Sequence, residues 1–181
     1  MKRFFIVSTL CLITFLTGLR CGTDKIINCP NVSGDYAITK TVTGFNATKA
    51  GASVNIEDQS AVLPNQSSLS ITQTGCPLVA IETISSSNNL EIPYSGTADS
   101  SGGFQLKISN PDAIAIPLQI KIPGEESKTC NFNGSINWDG KESNGSLSGT
   151  IKYDLKKRSD ETKTLCPDSA TVDMSFTGSR K

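Results

Sequence analysis

Leu147-Ser148-Gly149-Thr150-Ile151-Lys152-Tyr153-Asp154-Leu155 decides the fold. Leu147, Ile151, Tyr153 and Leu155 share one parity with Gly149, while Ser, Thr, Lys and Asp fill the other. A strand turns successive side chains to opposite faces, so this stretch reads as a strand half buried against a core. The pattern recurs on both sides. Upstream it appears at Leu69 and Ile71, at Val79 and Ile81, at Leu90, Ile92 and Tyr94, at Phe104, Leu106 and Ile108, and at Phe132, Ile136 and Trp138. The longest run is Ile114, Ile116, Leu118, Ile120 and Ile122, and Val172, Met174 and Phe176 close the series. Ser100-Ser101-Gly102-Gly103, Asn110-Pro111-Asp112, Pro123-Gly124, Asp139-Gly140 and Asn144-Gly145 supply turns between runs. No comparable helical stripe occurs beyond residue 30. The chain is therefore all-β and antiparallel, a meander of hairpins.

Four glycines, Gly96, Gly134, Gly149 and Gly178, fall on the apolar parity, each followed by Ser or Thr. A glycine facing inward removes bulk and lets a sheet bend sharply, which is how a sheet coils into a small barrel. The expected fold is a meander closed into a barrel of about eight strands. Its strands are expected at 32–42, 67–74, 77–84, 90–98, 103–109, 127–138, 145–156 and 170–179, with 112–122 as an inserted or extended segment. Pro93 and Pro117 lie inside strand patterns and point to edges or bulges, because proline donates no ladder bond.

Composition excludes several functions. The chain has 181 residues and no histidine, so it has no Ser-His-Asp or Cys-His nucleophile system and no imidazole switch. Formal net charge is +0, which argues against nucleic acid as a partner. Carboxylates such as Glu82, Glu91 and Asp99 would suit a glycosidase pair, but no spacing singles out two of them. No catalytic residue, metal site or cofactor is expected; the chain reads as a non-enzyme.

The N-terminus is an address. Lys2 and Arg3 precede an apolar tract from Phe4 to Leu19, short for a membrane span and suited to a signal peptide. With Cys21-Gly22-Thr23-Asp24 after it, the segment resembles a bacterial lipoprotein leader. The resemblance implies cleavage before Cys21 and acylation of that cysteine, giving a signal peptide over 1–20, a short tether over 21–30 and a barrel domain over 31–181. Loss of residues 1–20 leaves 14 bases against 17 acids, so membrane attachment would come from acyl chains rather than surface charge.

The barrel domain is similar to the small lipocalin-like barrels of bacterial envelope lipoproteins. The features that carry the resemblance are the Ser/Asn-Gly-Ser/Thr strands, a cysteine opening a late strand, and a last strand with Phe176, Gly178 and Arg180. Ser33-Gly34-Asp35-Tyr36 stands where a lipocalin has its G-x-W motif. Such proteins sit in the cell envelope, typically the outer membrane.

Once Cys11 and Cys21 are set aside, Cys29, Cys76, Cys130 and Cys166 remain, an even number that reads as two disulfides in an exported domain. In a meander, Cys29 and Cys76 come to one barrel end, and Cys130 and Cys166 share an end too. The expected pairs are Cys29–Cys76 and Cys130–Cys166.

Tyr94, Phe104, Phe132, Trp138, Tyr153 and Phe176 are expected to point inward, as core or as the lining of a pocket. Residues 44–66 form the longest stretch without strand character, a candidate lid or binding loop, and the resemblance to lipocalins, whose corresponding loop covers the mouth, implies that position here. The function expected is a lipid-anchored envelope protein acting as a binding or structural module. The alternatives are a carrier of a small apolar ligand in the barrel and an adhesin-like partner of envelope or host proteins.

Overall fold

The structure, a computed structural model, describes residues 28–85, 89–162 and 164–181. The leader expected over 1–20 and the acylation site expected at Cys21 lie outside the described residues. Ten strands and no helix occur among those described: β1 Gly34–Lys49, β2 Ala52–Ser53, β3 Gln66–Gln73, β4 Pro77–Ile84, β5 Leu90–Ala98, β6 Gly103–Ile108, β7 Ile116–Ile120, β8 Lys128–Ser143, β9 Ser146–Lys157 and β10 Ser169–Arg180.

Eight of the ten form a wall in the order β10-β9-β8-β6-β5-β4-β3-β1, and β1 pairs back with β10 to close it. Every pairing is antiparallel and joins consecutive wall strands, so the chain forms a closed up-and-down barrel. The inserted run β7 shares an edge of β8 with β6. β6 pairs the later half of β8, Lys107 opposite Asn137, and β7 pairs its start, Ile116 opposite Phe132. Pro117 sits on the edge of β7 away from β8, where it breaks no ladder. Pro93 lies one residue beyond the last β5–β6 pair, Tyr94 opposite Ile108; its carbonyl still accepts from Ser109 N–H at 2.9 Å, and its missing N–H falls where the ladder ends.

Both expected disulfides are present. Cys29–Cys76 closes the end where β3 turns into β4, and Cys130–Cys166 staples the opposite end, where β8 starts. The seam between β1 and β10 is fastened at the first of these ends. Arg180 stacks its guanidinium 5.5 Å from the centre of the buried Tyr36 ring and donates to the Ser33 carbonyl at 2.6 Å. The end of the last strand is thereby tied to the start of the first.

Two of the inward glycines show why no larger residue fits. A Cβ on Gly96 would collide with the carbonyl oxygen of Gln105, and one on Gly134 with that of Asp154, because adjacent strands cross closely at these points.

Three expectations need correction. Val79 and Ile81 face outward, 60% and 44% exposed, while Leu78, Ala80, Glu82 and Ile84 face the core. Pro77-Leu-Val-Ala-Ile-Glu-Thr-Ile84 is apolar on both parities, so alternation alone does not choose a face. Pairing with β5 chooses it: Ala80 lies opposite Tyr94, and Glu82 opposite Ile92, both core residues. Asp139-Gly140 is no turn. β8 runs on to Ser143, and Gly140 makes room for the Phe104 and Phe176 rings. The turn falls at Asn144-Gly145, where φ values of 53° and 79° suit a two-residue hairpin. β1 extends to Lys49, so the structureless stretch shrinks to 50–65 apart from β2. A register shift between Val42 and Gly44 reverses the parity, and Ala47 faces inward afterwards. That reversal hides the strand from a period-two reading.

Candidate functional site

Among the described residues, the barrel interior holds one charged pair. Lys40 on β1 and Glu82 on β4 each occupy an inward position amid apolar neighbours, Ile38 and Val42 on one strand, Ala80 and Ile84 on the other. Their side chains are fully buried, and Lys40 Nζ donates to Glu82 Oε1 at 2.6 Å. The Tyr94 hydroxyl donates to the other carboxylate oxygen at 2.9 Å. Both oxygens of Glu82 are thus engaged. A charge taken from water requires such partners, and here they come from three strands, which fixes the register of each.

Around this pair stand further polar groups. The Tyr153 hydroxyl, the Trp138 indole N–H and the Ser67 hydroxyl are buried with no hydrogen-bond partner among the described residues. Burial pushes the Tyr153 hydroxyl well above the usual tyrosine range, and the Glu82 charge adds to the rise. Tyr94 is raised likewise, first by burial, then by Glu82 and by Tyr153. Trp138 comes close enough to Tyr94 to oppose that rise, short of hydrogen-bond geometry. Both phenols stay protonated at neutral pH.

All six aromatics expected to point inward are buried. Trp138 meets Tyr94 edge-on with centroids 6.0 Å apart and Phe176 at 4.8 Å, and Phe176 meets Phe104 at 6.4 Å. These four rings form one packed array across the barrel. Phe132 and Tyr153 are buried on β8 and β9. The three carboxylates weighed for catalysis do not gather. Glu82 faces inward, whereas Glu91 and Asp99 are exposed.

A loop crosses one barrel end near the ion pair. Residues 50–65 run from the end of β1 towards β7, and they bury Ile56, Val62 and Leu63 in the core. Gln119 N–H donates to the Val62 carbonyl at 3.0 Å and Glu57 N–H to that of Lys121 at 2.7 Å. Lys40 N–H donates to the Asn65 carbonyl at 2.7 Å, so the loop ends beside the interior charge. Two recesses of 370 Å³ open on the outer surface, one at Ala37, Thr39, Ser148 and Thr177, the other at Lys128, Thr129, Thr164 and Leu165. Neither is lined by the interior polar groups.

Sequence reading missed Lys40 altogether and weighed Glu82 only as a catalytic acid. The signal was available for Lys40, which continues the inward parity of Tyr36 and Ile38. A charge at a core position of a strand is expensive unless partnered, so each such residue asks where its partner is.

No protein-family model matches the chain, and none of the curated proteins matches it in sequence.

Proposed function

We propose that this protein is exported, tethered to a membrane through acyl chains on Cys21, and works there as a non-enzymatic binding or structural module. The resemblance of its sequence to lipocalin-like envelope lipoproteins supports the bacterial outer membrane as the location, with a packed barrel interior and partners met on the outside. The observation that carries this reading is the filled interior. Tyr94, Trp138, Phe176 and Phe104 pack against one another, and the Lys40–Glu82 pair is satisfied from within. Two disulfides fit an oxidising compartment and agree with the export address. The test is metabolic labelling with a clickable palmitate. Label on the wild-type chain and none on Cys21→Ser is expected; an unlabelled wild type removes the anchor.

The carrier reading has its own support in the unpartnered Tyr153 and Trp138 groups and in the loop across the barrel end. A fluorescent fatty-acid titration separates the two. No saturable uptake is expected; one-to-one binding that Tyr153→Phe weakens would replace the structural reading with the carrier.

A further inference from the structure

We propose that the outer face of β3, β4 and β5, centred on Val79 and Ile81, is the surface this protein lays against a lipid bilayer. The proposal deepens the tether reading above and rests on it.

The face is built from cross-strand rows. Thr72, Val79 and Ser95 form one, Ser70, Ile81 and Pro93 the next, and Ser68, Thr83 and Glu91 a third. Val79 and Ile81 are the exposed large hydrophobic residues among those described, and they stand side by side on one strand face. The outward residues of β3 and β4 carry no charge, and Glu91 is the sole charged one on β5. Charges mark the rim: Asp35 lies opposite Ser70 on β1, and Lys107 opposite Ser95 on β6. The far wall is different. Asp139 and Lys141 on β8, Lys152, Asp154 and Lys156 on β9, and Asp173 on β10 all point outward. Of these surfaces, the β3–β5 face gives up least charge hydration on meeting lipid, and its hydroxyls can bond headgroup oxygens.

The tether chooses the occupant. Cys29 is bonded to Cys76, which leads directly into β4. Val79 lies three residues further on, about 10 Å along the strand. Seven residues lie between Cys21 and Cys29, eight steps of chain with a reach of at most about 28 Å. An acylated Cys21 therefore holds the β3–β4 end near the bilayer, with the apolar pair beside the point of attachment.

The experiment uses the full chain purified from membranes, as Ile81→Trp and, on the far wall, Lys152→Trp. Trp138, only 1% exposed inside the barrel, gives both a shielded background. Intact mass establishes acylation. The proteins are then reconstituted in phosphatidylcholine vesicles with brominated acyl chains, which quench indoles at the interface. Ile81→Trp is expected to lose at least half the emission it adds over wild type, and Lys152→Trp almost none. Flotation with vesicles but equal quenching of both, or none of either, overturns this face and leaves the anchor standing. An unacylated chain that does not float overturns the anchor and this face with it. A concentration-dependent blue shift of the introduced indole in a lipid-free Cys21→Ser background gives the face to a second copy and also overturns the proposal.

Discussion

Replacing Lys40 by Met tests whether the interior ion pair is held for what it adds or for what its loss would cost. At 2.6 Å the Lys40–Glu82 attraction amounts to about 6 kcal/mol with an effective dielectric of about 20. Stripping water from the two ions costs several kcal/mol each, so the pair is close to balanced. Lys40→Met keeps an unbranched side chain of similar bulk and leaves the Glu82 carboxylate buried with only Tyr94 as partner. The expected loss is about 3–5 kcal/mol. For a domain of this size each kcal/mol moves Tm by about 2–4 °C, so Tm falls on the order of 10 °C. Lys40→Met with Glu82→Leu removes both charges but strands the Tyr94 hydroxyl, at about 1–2 kcal/mol. Adding Tyr94→Phe is expected to bring the triple variant within about 1 kcal/mol of wild type. Urea unfolding followed by the fluorescence of Trp138, the single tryptophan, reads all three. A single variant losing under about 1 kcal/mol, or a triple variant no more stable than the single, refutes the reasoning.

Three further outcomes follow from the same geometry. The disulfides close loops of 47 and 36 residues; removing either as a double Cys→Ala variant is expected to cost about 4 kcal/mol in the chain-entropy model, read as a shift of the urea midpoint. Gly134→Ala forces a methyl against the Asp154 carbonyl and is expected to cost about 3 kcal/mol, or to prevent folding; unchanged thermal unfolding would show that the strands do not press there. Tyr94 and Tyr153 have folded pKa values raised above the unfolded value. Their contribution to stability is therefore whole below pH about 10, where unfolded tyrosine titrates, and is lost as pH climbs beyond it. In an alkaline titration, tyrosinate absorbance from these two is expected to appear together with unfolding rather than before it.

Much of the fold was legible because a half-buried strand writes its geometry into alternation. Eight wall strands, both staples and the inward aromatics follow from that one period and from where turns fall. Legibility failed where local pattern is silent. β4 is apolar on both parities, so only its pairing with β5 decides that Glu82 goes in and Ile81 stays out. The later half of β1 was lost to a single extra residue near Gly44. Asp139-Gly140 has turn chemistry, yet its backbone is held in β8 opposite Phe104 and Gln105. The interior pair is the clearest case. Lys40 and Glu82 are 42 residues apart, and nothing local to either announces the other.

Closure of β1 on β10 has a practical consequence. Lys181 N–H donates to the Asp35 carbonyl at 2.9 Å, and Tyr36 pairs with Arg180, so the first and last residues of the barrel leave from one rim. A few glycines suffice to join them, and new ends can then be opened between Ser159 and Asp160 on the opposite rim. Such a circular permutant keeps its severed segments covalently linked, because Cys130–Cys166 spans the cut. Any cargo grafted after Lys181 would emerge at the barrel end that the Cys29–Cys76 staple closes.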